Sequence, residues 1–203
     1  MQAEGRAPLT GDTSEPQPGT DDPRTDETAE AAPASARPHR HRRVGLLLAV
    51  AVLVVALDQL SKALVVARLA DHEPVRLLGG LLTLTYTRNG GAAFSLGTGF
   101  TLLFTAVAVT VVVVILRVSR RLYSVGWAVA LGALLGGAIG NLVDRLTRSP
   151  GIGRGHVVDW IQLPHFAVFN LADAAITCSA VAMVLLSATG HDVDGTRHRH
   201  VDG

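Results

Sequence analysis

Six acidic residues lie between positions 44 and 188, and four of them, Asp58, Asp144, Asp159 and Asp173, stand within or against apolar segments. A carboxylate at membrane depth is costly, so its presence points to a functional site or a buried pair. Asp159 and Asp173 offer the clearest chemistry. Two carboxylates sharing a site cannot both ionise easily, and one keeps its proton near neutral pH. Such a pair can take a proton from water and give one to a leaving amine, which suffices for peptide hydrolysis without a metal. The 14-residue interval between them lets a loop fold back onto a helix start.

Each aspartate also has a plainer reading. Asp58 and Lys62 are spaced i, i+4, so a helix-surface ion pair stands beside a direct substrate role. Asn141, Asp144 and Arg145 share a helical face, where a polar cluster ending the helix explains them as positioning groups. Asn170-Leu-Ala-Asp173 matches a capping box, and acids are favoured at helix N-termini in any case. Asp159 sits in Val157-Val-Asp-Trp-Ile161 after a glycine-rich turn, and its apolar flanks hold it at an interface rather than in solvent. Other chemistries fit less well. His156, Asp159 and His165 match no helical zinc pattern. Ser61 and Lys62 are adjacent and point in different directions on a helix, so they form no nucleophile–base pair. Cys178, in the apolar run 174–188, reads as a small buried hydrophobe.

The elements that must position these groups are apolar. Runs at about 44–67, 99–118, 122–143 and 167–188 each approach the roughly 20 residues that a membrane helix requires. The sequence therefore predicts an all-α membrane protein of four transmembrane helices. Asp58 is about 21 Å along the first helix from Val44, in its outer half. Asp144 and Asp173 fall at the outer ends of the third and fourth spans, and Asp159 lies between them. Gly132, Gly136 and Gly140 recur every four residues, a spacing that lets helices approach closely. The connection 71–99 contains Leu81-Leu-Thr-Leu-Thr-Tyr-Thr87 before Arg88-Asn-Gly-Gly91, which predicts a small extracytoplasmic strand or hairpin at the membrane surface.

Composition agrees with that division. Of 35 charged residues in 203, the first 43 positions hold 14, the central 145 hold only 16 and the last 15 hold 5. Residues 1–43 lack hydrophobic periodicity and read as a disordered leader. Residues 44–188 form the membrane domain and 189–203 a tail. A net charge of +1 argues against nucleic acid as a partner, and one cysteine excludes a disulfide framework. Basic clusters at 37–43, at Arg117/Arg120/Arg121 and at Arg197/Arg199 place both termini in the cytoplasm. Arg145, Arg148 and Arg154 in an outer connection run against that bias without outweighing it.

Five ordered blocks extend this reading: Asp58-Gln-Leu-Ser-Lys62, Asn89-Gly-Gly-Ala-Ala-Phe94, Gly136-Gly-Ala-Ile-Gly-Asn-Leu-Val-Asp-Arg145, Val157-Val-Asp-Trp160 and Phe169-Asn-Leu-Ala-Asp173. Together they resemble the lipoprotein signal peptidase (signal peptidase II) family of bacterial membrane aspartyl peptidases, over residues 44–188. The resemblance implies that Asp159 and Asp173 form the catalytic dyad. Asn89, Asn141, Arg145 and Asn170 match positions that line the substrate site, and Asp58, Lys62 and Asp144 match supporting positions. It further implies no metal or other cofactor, and substrates that are prolipoproteins carrying diacylglycerol on a cysteine, cut just before that cysteine. Membrane lipids and globomycin-type inhibitors are the other implied partners. The implied location is the bacterial cytoplasmic membrane, with the site near its extracytoplasmic face. The leader has no part in the resemblance, and the 146–156 loop looks longer than the family's usual link.

Two alternatives from other classes follow from the residues alone. A small proton- or cation-coupled transporter would also use intramembrane carboxylates, but it calls for polar groups across the whole bilayer, and the inner halves of these spans hold few. A non-catalytic helical scaffold leaves four costly aspartates at one face unexplained.

Overall fold

A computed structural model of the chain describes residues 42–91 and 101–197. The expected leader lies outside these residues except for Arg42 and Arg43, as do the first two positions of the expected second span and the tail beyond Arg197. Among the described residues, four helices are long and apolar enough to cross a membrane: α1 (Val44–Leu69), α2 (Thr101–Val118), α3 (Val125–Thr147) and α4 (Leu171–Ala188). Three short strands, β1 (Val75–Leu77), β2 (Leu82–Asn89) and β3 (Val157–Gln162), form an antiparallel sheet in the order β1-β2-β3.

The sheet answers the expectation of a β-element in 71–99 and adds a strand inside what reads in sequence as a connection. β3 pairs with β2 so that Thr87 faces Asp159 and Asn89 faces Val157. Its six residues offer no clean alternation, because Val157, Val158 and Asp159 are all buried. Only the partner strand makes β3 recognisable. A register shift interrupts the ladder between Leu84 and Thr87.

Helix ends differ from the hydropathy limits for local reasons. α3 starts at Val125, where the Ser124 side chain accepts a hydrogen bond from the Trp127 amide at 3.5 Å. It then continues past Asp144 and Arg145 to Thr147 instead of stopping at 143, because Asp144 is fully buried and ion-paired within the fold. α4 starts four residues later than the apolar run. Phe169 pairs in extended form with Ile161, and Asn170 then caps the helix.

The interior is polarised along the bundle. Leu47, Ala51, Ile115, Leu122, Ala128, Leu131 and Leu135 make an apolar core. Asp58, Lys62, Asp144, Asp159 and Asn170 are buried instead where the helices meet the sheet. The glycine stripe of α3 serves packing, as its spacing suggests. A Cβ on Gly132 would lie 2.6 Å from the Leu47 carbonyl oxygen, and one on Gly136 would lie 2.7 Å from that of Ala51. Gly137 turns the other way, toward the Ala172 carbonyl oxygen of α4 at 2.6 Å. Gly132→Ala is therefore expected to lower stability by about 1–3 kcal/mol, read as a reduced thermal midpoint in detergent. Gly45→Ala meets nothing within 4 Å and is the matched control, expected to show no such loss.

Cys178 corrects the sequence reading. It is exposed on the outside of α4. An apolar run marks burial in a soluble protein, but a membrane helix turns most of its apolar surface to lipid.

Candidate active site

The end of β2, the middle of β3, the later part of α3 and the start of α4 bring five polar side chains into one hydrogen-bonded set. Asp159, at 2% exposure, projects from β3, and each of its oxygens accepts from an amide: Oδ1 from Asn170 Nδ2 at 2.6 Å and Oδ2 from Asn89 Nδ2 at 2.9 Å. Asp173 sits one turn into α4 and is half-buried. Its Oδ1 accepts from Asn141 Nδ2 at 2.7 Å, and its Oδ2 from the Asn170 backbone N–H at 3.2 Å.

The amide orientations follow from their other partners. The Lys62 ammonium can only donate, and it meets Asn141 Oδ1 at 3.0 Å, so the Asn141 NH2 group must face Asp173. Asn170 Oδ1 accepts from the Asp173 amide at 3.0 Å as the helix cap, which turns its NH2 group to Asp159 and to Asn141 Oδ1 at 3.2 Å. Asn89 Oδ1 accepts from the Gly91 amide at 2.8 Å, leaving Nδ2 for Asp159. The capping reading of Asn170-Leu-Ala-Asp173 and the paired-carboxylate reading are thus both satisfied by the same side chains. Both halves of the capping box are formed, and the cap's NH2 group donates to Asp159 and to Asn141, which in turn donates to Asp173.

Burial is the largest influence on Asp159 and pushes its carboxyl up to about 6. The neighbouring Asp173 charge pushes the same way, while the Asn89 and Asn170 amides oppose it.

A cavity of about 320 Å³ opens beside this set. Asn89, Asn141, Arg145 and Asp173 form its polar end, and α2 supplies an apolar wall that includes Phe104 and Val107. Arg145 stacks over the Phe104 ring at 5.5 Å, and its buried Nη1 has no hydrogen-bond partner among the described residues. A guanidinium N–H held this way at a cavity wall is a donor awaiting an acceptor.

The expected supporting residues lie directly behind. Lys62 pairs with Asp58 at 2.8 Å and with Asp144 at 2.9 Å, and all three are fully buried. The reading of Asp58–Lys62 as a helix-surface pair is therefore corrected. The α3 glycines let α1 approach closely, and the pair is enclosed between helices.

Three neighbours escape the sequence reading. Gln59 donates to Asp58 Oδ2 at 3.1 Å and to the Gly140 carbonyl at 3.0 Å. Arg148 donates to Asp144 Oδ1 at 2.6 Å, a pair for which the i, i+4 spacing is the one available signal. Gly140 has a second role beyond the stripe, because a Cβ there would lie 2.6 Å from Asp58 Oδ2.

Four helices able to span a membrane, with carboxylates, asparagines and an arginine gathered at one end, define a polytopic membrane protein with a buried polar cluster. Comparison with known proteins narrows the class. The family profile Peptidase_A8, signal peptidase (SPase) II, matches residues 50–189. The lipoprotein signal peptidase of Streptomyces coelicolor is 52% identical over 82% of this chain and 81% of its own length. Those of Rhodococcus jostii and Mycobacterium tuberculosis strain H37Rv are 45% and 46% identical, each over 91% of this chain and 92% of their own length. A solved bacterial membrane enzyme superposes with a TM-score of 0.64 at 26% identity, covering 74% of this chain and 97% of that one. A second shares the fold with a TM-score of 0.65. The chain belongs to the signal peptidase II family, and it is a multi-pass membrane peptidase that removes signal peptides from lipoproteins. The transporter alternative is set aside.

Proposed function

We propose that the chain is an aspartic endopeptidase that cuts prolipoproteins immediately before a cysteine carrying diacylglycerol, with Asp159 and Asp173 as its dyad. The observation that carries this reading is the linkage of both carboxylates through Asn170, with Asp173 on the wall of an apolar-walled cavity and Asp159 buried behind it. Asp159, whose burial favours the protonated form, polarises the scissile carbonyl and later protonates the leaving amine. Asp173, on the cavity wall, takes the proton from the attacking water. Asn89 and Asn170 orient Asp159, Asn141 orients Asp173, and the free Arg145 N–H donates to a backbone carbonyl of the substrate.

The apolar wall of α2 suits an acyl chain arriving laterally from the bilayer. An inhibitor of the globomycin type would compete by filling the same polar end. The distribution of Lys and Arg supports cytoplasmic termini for residues 1–43 and 189–203, with the 44–188 peptidase domain presenting its site at the extracytoplasmic face.

The test uses the purified protein in lipid with a diacylglyceryl-modified prolipoprotein peptide. Mass spectrometry is expected to find one new N-terminus, on the modified cysteine. The unlipidated peptide should be cleaved at least ~100-fold less efficiently, since the apolar burial of its acyl chains is lost. Cleavage elsewhere, or equal cleavage of both peptides, rejects the reading.

The pH profile supplies a second check. Loss of the Asp159 proton removes the general acid, so kcat/KM is expected to fall tenfold per unit above about pH 6. The corresponding limb in kcat should lie higher, because bound substrate excludes more water from the carboxyl.

A further inference from the structure

We propose that Lys62 is a positioning residue whose ammonium group fixes Asp159 and Asp173 relative to one another through three arms ending on the segments that carry them. The inference rests on the dyad reading above and concerns a side chain that touches neither aspartate of the dyad.

The first arm runs from Lys62 Nζ to Asp58 Oδ2 at 2.8 Å, and Asp58 Oδ1 accepts from the Ala172 amide at 3.0 Å. Ala172 immediately precedes Asp173. The second runs to Asp144 Oδ2 at 2.9 Å, and the same oxygen accepts from the Val158 amide at 3.3 Å. Val158 immediately precedes Asp159. The third runs to Asn141 Oδ1 at 3.0 Å and forces the Asn141 NH2 group onto Asp173 Oδ1 at 2.7 Å. Three ammonium protons thus meet three acceptors, with Lys62 fully buried.

The charges also close. Two carboxylates face one ammonium, and Arg148, 2.6 Å from Asp144 and 28% exposed, supplies the second cation.

A buried ion pair is weak evidence for stability, because apolar side chains of similar volume often hold a fold as well. Stability alone does not call for two carboxylates that each end on the N–H before a dyad aspartate. A common clamp on β3 and α4 does. Lysine suits the task because its compact charge and three rotatable donors can serve three acceptors from different elements.

The test is Lys62→Met combined with Asp58→Asn. The side-chain amide introduced by Asp58→Asn still offers an oxygen to the Ala172 N–H, and Asp144 keeps Arg148, so no unpaired buried charge is left. The expected result is a folded enzyme whose kcat is at least ~100-fold lower with KM within about threefold, because the dyad and not the binding cavity is displaced. With Asn141 free to turn its amide, Asp173 Oδ1 loses the donor that holds it in place. Hydrogen exchange at the Val158 and Ala172 amides should quicken while the rest of the helices stay protected. Lys62→Gln with Asp58→Asn restores a donor toward Asn141 and is expected to recover part of kcat.

Unchanged kcat in the Met variant overturns the proposal. So does a loss that merely tracks the unfolded fraction, or failure of both variants to fold, since each leaves Lys62 a structural role only. Asp159→Asn in the same assay separates the two readings. If it is inactive, the dyad stands whatever Lys62 does; if it is active, the dyad itself falls.

Discussion

Asp159→Asn and Asp173→Asn are each expected to lower turnover of a diacylglyceryl-modified prolipoprotein by at least ~1,000-fold, with the four-helix fold retained. The two losses should look alike, because a general acid without its base, or the base without its acid, completes no proton cycle. For the same reason the double variant should be little worse than either single one, as happens where residues act as one unit.

Stability measurements separate this from damage to the fold. An amide at position 159 occupies the carboxyl's volume and still offers one oxygen to Asn89 or Asn170. The pH dependence of unfolding gives a further signature. Burial raises Asp159 to about 6 from 3.8, so the native state holds a proton across that interval that the unfolded chain has released. Its contribution therefore favours the fold below about pH 4 and declines as pH rises to about 6. Asp159→Asn should flatten that part of the stability curve. Turnover within tenfold of the parent in both single variants, with the fold intact, would remove the dyad assignment.

The residues that make this case are legible in the sequence to different degrees, and the differences have physical causes. Asp159 and Asp173 stand out because an apolar chain makes each carboxylate costly, and the structure links them through Asn170. The α4 cap is equally legible, since Asn170 and Asp173 are three residues apart and a cap is a local device. β3 is not. Its six residues are stabilised by pairing with β2, roughly 70 positions away, and no local pattern records that partner. Arg148 and Gln59 carry little signal because their value depends on which buried carboxylate the fold places beside them. The i, i+4 spacing of Lys62 points to a helix surface. Close approach to α3, which the glycines permit, buries it completely. Cys178 shows the opposite error, where apolar neighbours in sequence are lipid-facing neighbours in space.

The second large effect is expected at Asn170, where two roles share one side chain and a single substitution can part them. Asn170 is fully buried. Its Oδ1 caps α4 by accepting from the Asp173 amide at 3.0 Å, and its Nδ2 donates to Asp159 at 2.6 Å. Aspartate is as good an N-cap as asparagine, so Asn170→Asp keeps the acceptor and the favourable charge at the helix N-terminus. What it removes is the donor. A carboxylate oxygen would then stand where the amide nitrogen now meets Asp159, with Asp173 close by. Like-charge repulsion then replaces the hydrogen bond that held Asp159, and the aspartates lose the geometry the amide link gave them. The expected result is a loss of at least ~100-fold in kcat at pH 7. Asn170→Ala is the complement. It loses cap and donor together, and should cost about 1 kcal/mol of stability in addition to turnover. If Asn170→Asp instead retains normal kcat, the amide link between the aspartates is dispensable and Asn170 is a helix cap alone. If it loses stability as heavily as the alanine variant, the cap cannot be separated from the charge cluster, and the two roles are one.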